Sequence, residues 1–222
     1  MPETEEEPQG AKTPRKRPTR SRLDVAERRA QIQAAAQAVF DEQPYDAVNM
    51  AAIAERAGVS RALLFHYFES KRGLYLAVLK ETLEEIFELL DQDPALPPEE
   101  DFVAGVRRYF AYVDSHAVRF SALIGGGLSG DPEVQAFRLE HHDRHVARIA
   151  AAAGIDLVGD PRSRAALHGF LGFCETLGHD YLRHRDLSID ELTVLAVRAA
   201  SSGFPEMAAM HERALRKAGL VR

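Results

Sequence analysis

From residue 24 onward the chain repeats its apolar side chains at helical rather than strand spacing. Ile32, Ala35, Ala36, Val39 and Phe40 fall on one face of a 3.6-residue repeat. Asp24 followed by Glu27 has the form of a capping box, which starts that helix, and Pro44 is expected to end it. Asn49 is placed to cap a short second helix, Met50 to Ala57, and Gly58 supplies the positive φ that a tight turn needs. Ser60 then caps a third helix, Arg61 to Phe68, and Ser70 opens a fourth from Lys71 to about Leu90. The run Asp91–Pro98 holds three prolines and reads as a linker. Beyond it, helices are predicted over 100–116, 118–124, 132–153, 162–184, 189–202 and 205–218. They are separated by breaks at 125–127, 159–161, 185–187 and 203–205. Runs of β-branched residues are short throughout, so the fold class expected is all-α.

The second and third helices, joined by the Gly58 turn, have the form of a helix-turn-helix. Ile53, Ala57, Val59, Leu64 and Phe68 can face inward and hold the two at a fixed angle. The opposite side of the third helix presents Arg61, Ala62, Phe65 and His66, with Leu63 at its border, a set suited to a major groove. Three regions follow: an arm over 1–22, a three-helix DNA-binding domain over 23–70, and a larger helical domain for ligand binding and dimerisation over 71–222. Residues 71–90 of the last form a connecting helix.

Charge supports that division. The net charge of -6 splits into -4 over residues 1–10, +6 over 11–80 and -8 over the rest. A basic segment beside an acidic remainder suits a nucleic-acid-binding head on a separate body. Within the arm, Arg20 and Arg22 are candidates for the minor groove or for phosphates, the alternative being a solvated tail. Cys174 is the only cysteine, which excludes an internal disulfide and points to a reducing compartment. Neither a signal peptide nor a bilayer-spanning stretch is evident, so the expected location is the cytoplasm, with no membrane partner.

The ordered run Ile53-Ala54-Glu55-Arg56-Ala57-Gly58-Val59-Ser60, continuing through Leu64-Phe65-His66-Tyr67-Phe68 and Ser70-Lys71 to Leu74, resembles the tetracycline-repressor (TetR) family of bacterial regulators. Phe40, closing the first helix, matches as well, and the likeness covers about residues 24–90. It implies that Ser60 bonds a phosphate, that Arg61 reads a base, and that Ala62 and Leu63 touch thymine methyls. His66 and Tyr67 match positions that lie against the DNA backbone, and Lys71 a phosphate contact. Asn49 and Phe65 complete the set. Phe65 stands where a tyrosine is usual, Leu63 where a small or hydroxyl residue is common, and Ala51 where a longer one is.

For the body, the resemblance implies a pocket for a small-molecule effector and a homodimer made by the last two long helices, here 162–184 and 189–202. Ala165, Ala166, Gly169, Gly172 and Thr176 would let a partner helix approach closely, unless they pack within the monomer. Pocket candidates are Phe110, His116, Phe120, Phe137, His168, Phe170 and Phe173. The implied function is a repressor of a palindromic operator on double-stranded DNA, released by its effector. The alternatives are an activator, a regulator controlled by a partner protein, or a helical ligand-binding enzyme.

Other chemistry is weakly represented. The pairs His141/His145 and Glu175/His179 have the i,i+4 spacing of zinc ligands, but Asp143, Arg144 and Arg148 suggest a charged, exposed face there. The expectation is therefore no metal and no cofactor. Cys174 reads as buried packing, and the glycine-rich stretch 125–130 lacks the lysine of a phosphate-binding loop. No catalytic residue is assigned.

Overall fold

The computed structural model describes residues 24–91, 93–125 and 128–222, and among these every regular element is helical. Helix α1 (Val25–Phe40) starts at the expected capping box, with Asp24 and Glu27 each accepting the other's backbone N–H at 2.8 Å. It stops at Phe40 rather than running to Pro44. Asp41 already caps it, and the proline instead precedes one 3-10 turn, Tyr45–Ala47. Asn49 caps α2 (Met50–Arg56), Ser60 caps α3 (Arg61–Tyr67) and Ser70 caps α4 (Lys71–Leu89). Gly58 makes the turn between α2 and α3 at φ +63°.

Ile32, Ala36, Ile53, Leu64 and Phe68 close the core of this head. The same core continues without a break along α4 through Leu74, Val78 and Leu83, and reaches Leu123 and Val134 in the body. Helix α4 therefore belongs to both halves.

The body holds α5 (Pro98–Ser115), α6 (Ala117–Gly125), α7 (Pro132–Ala153), α8 (Pro161–His184), α9 (Ile189–Gly203) and α10 (Ala208–Lys217). Pro98 ends the linker by becoming the first residue of α5, where a missing N–H costs nothing. The predicted last helix begins instead as a 3-10 turn, Pro205–Met207. Helix α5 packs on α9 and α10, α8 on α9, and α7 lies across α4 and α8. Phe110, Val113, Phe120, Leu192, Val197 and Leu215 form the main body core.

Candidate functional site

The face of α3 that points away from the head core presents Arg61, Ala62 and His66 to solvent. Leu63, Phe65 and Tyr67 are half-buried along its edges, while Leu64 and Phe68 are buried beneath it. This division follows from the helical repeat: positions 64 and 68 share one side, and 62 and 66 the other. Among the described residues Arg61 has no ion pair; its guanidinium lies 5.6 Å from the Phe65 ring centroid, which leaves its donors available. Phe65 itself packs against the head core.

Several candidates also carry local structure. The Ser60 hydroxyl accepts from the Leu63 N–H at 3.1 Å, and the Asn49 side chain accepts from the Ala51 N–H at 2.9 Å. Both are helix caps before they are anything else. Lys71 lies 4.5 Å over the Tyr45 ring and donates to the Asp46 carbonyl at 3.3 Å. Arg29 on α1 donates to the Tyr67 carbonyl at 3.0 Å and stacks 4.3 Å over Phe68, pinning the end of α3. Tyr45 and Arg29 were missed in the sequence because neither falls within the helix-turn-helix run. Arg20 and Arg22 lie outside the described residues.

Ion pairs tie this head to the body. Arg119 on α6 reaches Asp41 at the end of α1 with two hydrogen bonds (2.6 and 3.0 Å) and Glu85 on α4 at 2.7 Å. Arg72 at the start of α4 grips Asp131 with two bonds of 2.8 Å and Glu133 at 3.0 Å. The Arg72 hydrogen bonds hold the Asp131 carboxyl down to about 2. Farther along α4, Glu84 pairs with Arg144 of α7.

The body encloses a cavity of about 360 Å³. Its wall is largely apolar, with Leu83, Ile86, Phe102, Phe120, Phe170 and Phe204 prominent. Polar groups enter from α7, as His141, His142, His145 and Arg148, and from α5, as Glu99, Asp101, Arg108 and Tyr109, with Glu175 of α8 and His211 of α10. Glu175 accepts from Arg138 at 3.0 Å and pairs with His142 at 2.8 Å. Burial works to raise its pKa, but the His142 hydrogen bond and the Arg138 charge outweigh that and leave it lowered. Burial pushes His141 down to about 4 and His145 down to about 3, helped by His142 for the first and by His141 for the second. Burial likewise raises the Cys174 thiol, which makes it a poor nucleophile.

Of the pocket residues expected from sequence, Phe120 and Phe170 line this cavity. The others do not. Phe110 is buried in the body core, and His116 stacks on Tyr112 at 4.3 Å. Phe137 packs toward the α4 core under Lys80, His168 pairs with Asp143 at 3.5 Å, and Phe173 is 39 % exposed. The charged, exposed face expected around the α7 histidines is also corrected. His141 is 6 % exposed and His145 5 %, because α7 is covered by α4 on one side and α8 on the other. Arg148 turns inward too, while Arg144 stays partly exposed, and each lies about 4 Å over the Phe87 ring of α4. Among the described residues no group of three or more His, Cys, Asp or Glu side chains is arranged to hold a metal.

A capped helix-turn-helix with an open recognition face, set on an all-helical body, defines a helix-turn-helix regulator by class. Residues 32–78 match the family model described as bacterial regulatory proteins, tetR family. The HTH-type transcriptional activator FasR of Mycolicibacterium smegmatis is 33 % identical over 120 residues, covering 52 % of this chain and 54 % of that protein. The HTH-type transcriptional repressor AcnR of Corynebacterium diphtheriae is 27 % identical over 124 residues, covering 56 % and 62 %. A tetR-family regulator from Streptomyces coelicolor superposes with a TM-score of 0.74 at 25 % identity, over 87 % of this chain and 90 % of that one. The chain spans about half the length of the curated relatives it matches. In the sequence of its head and in its fold, the chain is similar to the tetR family of bacterial regulatory proteins. None of these relatives is named as an enzyme.

Proposed function

We propose that the chain is a cytoplasmic transcription repressor that binds a palindromic operator as a homodimer and is released when a small molecule enters the body cavity. The observation that carries DNA binding is the outward face of α3, where Arg61, Ala62 and His66 stand exposed on a helix anchored by Leu64 and Phe68. Arg61 would read guanine, Ala62 and Leu63 would touch thymine methyls, and Ser60, Tyr67 and Lys71 would meet phosphates. No catalytic role is assigned.

Dimerisation is supported by a line of exposed small residues on α8. Ala165, Gly169 and Thr176 face solvent, and a Cβ added at Gly169 or Gly172 would meet nothing within 4 Å. Phe173 beside them and Leu195 on α9, 45 % exposed, give that surface an apolar character. Ala166 is different: it packs within the monomer, where a Cβ at Gly203 would come within 3.1 Å of it.

Ligand control is supported by α4, which forms cavity wall at Leu83 and Ile86 and head core at Leu74 and Val78. A ligand acts only through its different affinity for the two arrangements of that helix. Mobility shift with genomic fragments is the test, comparing wild type with Arg61→Ala. Unchanged affinity and sequence preference in the variant would overturn the DNA-binding face. The FasR match favours a second reading, an activator of the same build. A reporter on the bound promoter, with the gene deleted, separates the two by the sign of the change.

A further inference from the structure

Hydrogen bonding in the body cavity narrows what it can hold. The Arg148 guanidinium lies 3.1 Å from Nδ1 of His145, and arginine offers only donors, so Nδ1 accepts and the His145 proton sits on Nε2. That N–H meets Nε2 of His141 at 2.9 Å, which must then accept. The His141 proton is left on Nδ1, a buried N–H with no partner among the described residues. The hydroxyl of Tyr109 is likewise buried without a partner among the described residues, and both residues line the cavity. Both also feel the charge of Glu175.

The charges around these donors are already matched. Both carboxylate oxygens of Glu175 are engaged, one by His142 and one by Arg138. Arg138 balances the Glu175 charge, so neither an anionic nor a cationic head group would find an uncommitted counter-charge in that pair. Arg108 leaves its Nε without a partner, but Asp101 balances its charge at 3.2 Å. Arg148 donates to the Phe87 carbonyl at 2.7 Å, and Asp91 pairs with its charge at 3.7 Å. His141 and His145, held below the usual histidine range by burial, add no charge near neutrality.

We infer that the cavity takes an uncharged, mainly apolar molecule of about a dozen non-hydrogen atoms, whose ketone, ester or amide oxygen accepts from His141 Nδ1–H and Tyr109 O–H. The size follows from 360 Å³ at roughly 30 Å³ per water-sized group. The inference rests on reading this cavity as the effector site.

The test is calorimetric titration of the intact protein near pH 7.5 with 2-undecanone, decanoate and decylamine, which carry the same nonyl tail on the polar carbon and differ in charge. The ketone is expected to bind about tenfold more tightly than either ion. Tyr109→Phe and His141→Phe are each expected to weaken the ketone by roughly three- to tenfold, the worth of one hydrogen bond. Tightest binding of decanoate or decylamine, binding of none of the three, or folded variants that keep full ketone affinity would each overturn the inference. Should a variant not fold, the wild-type ranking of the three head groups decides alone. Operator affinity is measured separately. Ketone binding with no effect on DNA would overturn effector control and leave the cavity's chemistry standing.

Discussion

The head and the body are both built from amphipathic helices, yet they complete their cores differently. In the head, α1 to α4 all begin at a side-chain cap, and Ile32, Ile53 and Leu64 are wholly buried against one another's elements. In the body, α5 and α10 begin without a side-chain cap, and the helices stand around 360 Å³ of space with donors left over in its wall. A dense core fixes one arrangement, which is what reading a groove requires. A hollow one forgoes contact energy along its lining. That makes it the part whose packing a ligand can complete.

The contrast is broken or sharpened most strongly by core truncation. Leu64→Ala should cost about 4–5 kcal/mol, and Leu167→Ala, which already faces the cavity, nearer ~2 kcal/mol, the two ends of the range for such changes. Urea denaturation of both variants measures it, and equal losses would mean that the body is as tightly packed as the head. Next in size, Arg61→Ala should weaken the preferred operator by ~1–3 kcal/mol and flatten base preference, with thermal stability unchanged. Competition binding against mismatched sites reads that difference.

The histidines give the third prediction. The folded pKa values of His141 and His145 lie below the ordinary 6.5, so the unfolded chain takes up protons first as pH falls. Their contribution is therefore full above pH 6.5 and is lost progressively down to about pH 4 for His141 and about pH 3 for His145. His211, also lowered by burial, acts with the same sign. The melting temperature should drop by several degrees across this window, about 2–4 °C per kcal/mol for a chain of this size. The double variant His141→Phe/His145→Phe should show a shallower drop. Smallest is Ser60→Ala, expected to cost about 1 kcal/mol through loss of the α3 cap. A change confined to DNA affinity, with no loss of stability, would assign the hydroxyl to phosphate alone.

The head was legible because its signals are local. Asp24, Asn49, Gly58, Ser60 and Ser70 each act within about three residues, and each stands in the structure where the spacing put it. The cavity was not legible, since one apolar stripe serves equally for a filled core and for a wall. Phe110 and Phe120 look alike in sequence, but the first is sealed in the core while the second borders the space. Neighbouring charges misled the reading of α7 for a related reason. Arg144 and Arg148 mark a solvent face only on a helix that has one, and here both reach the aromatic ring of Phe87.

Helix α4 also has a mechanical side. Its 19 residues span about 28 Å at 1.5 Å per residue, with cavity wall at one end and the recognition domain at the other. Used as a lever, it turns a tilt of about 5° into a displacement of roughly 2.5 Å at the far tip, given that length. Two such levers in a symmetric pair would change the spacing of the recognition helices by about 5 Å, near one and a half base-pair steps of 3.4 Å. In the proposed homodimer, a motion smaller than one turn of α4 itself would thus be enough to lose register with both half-sites at once.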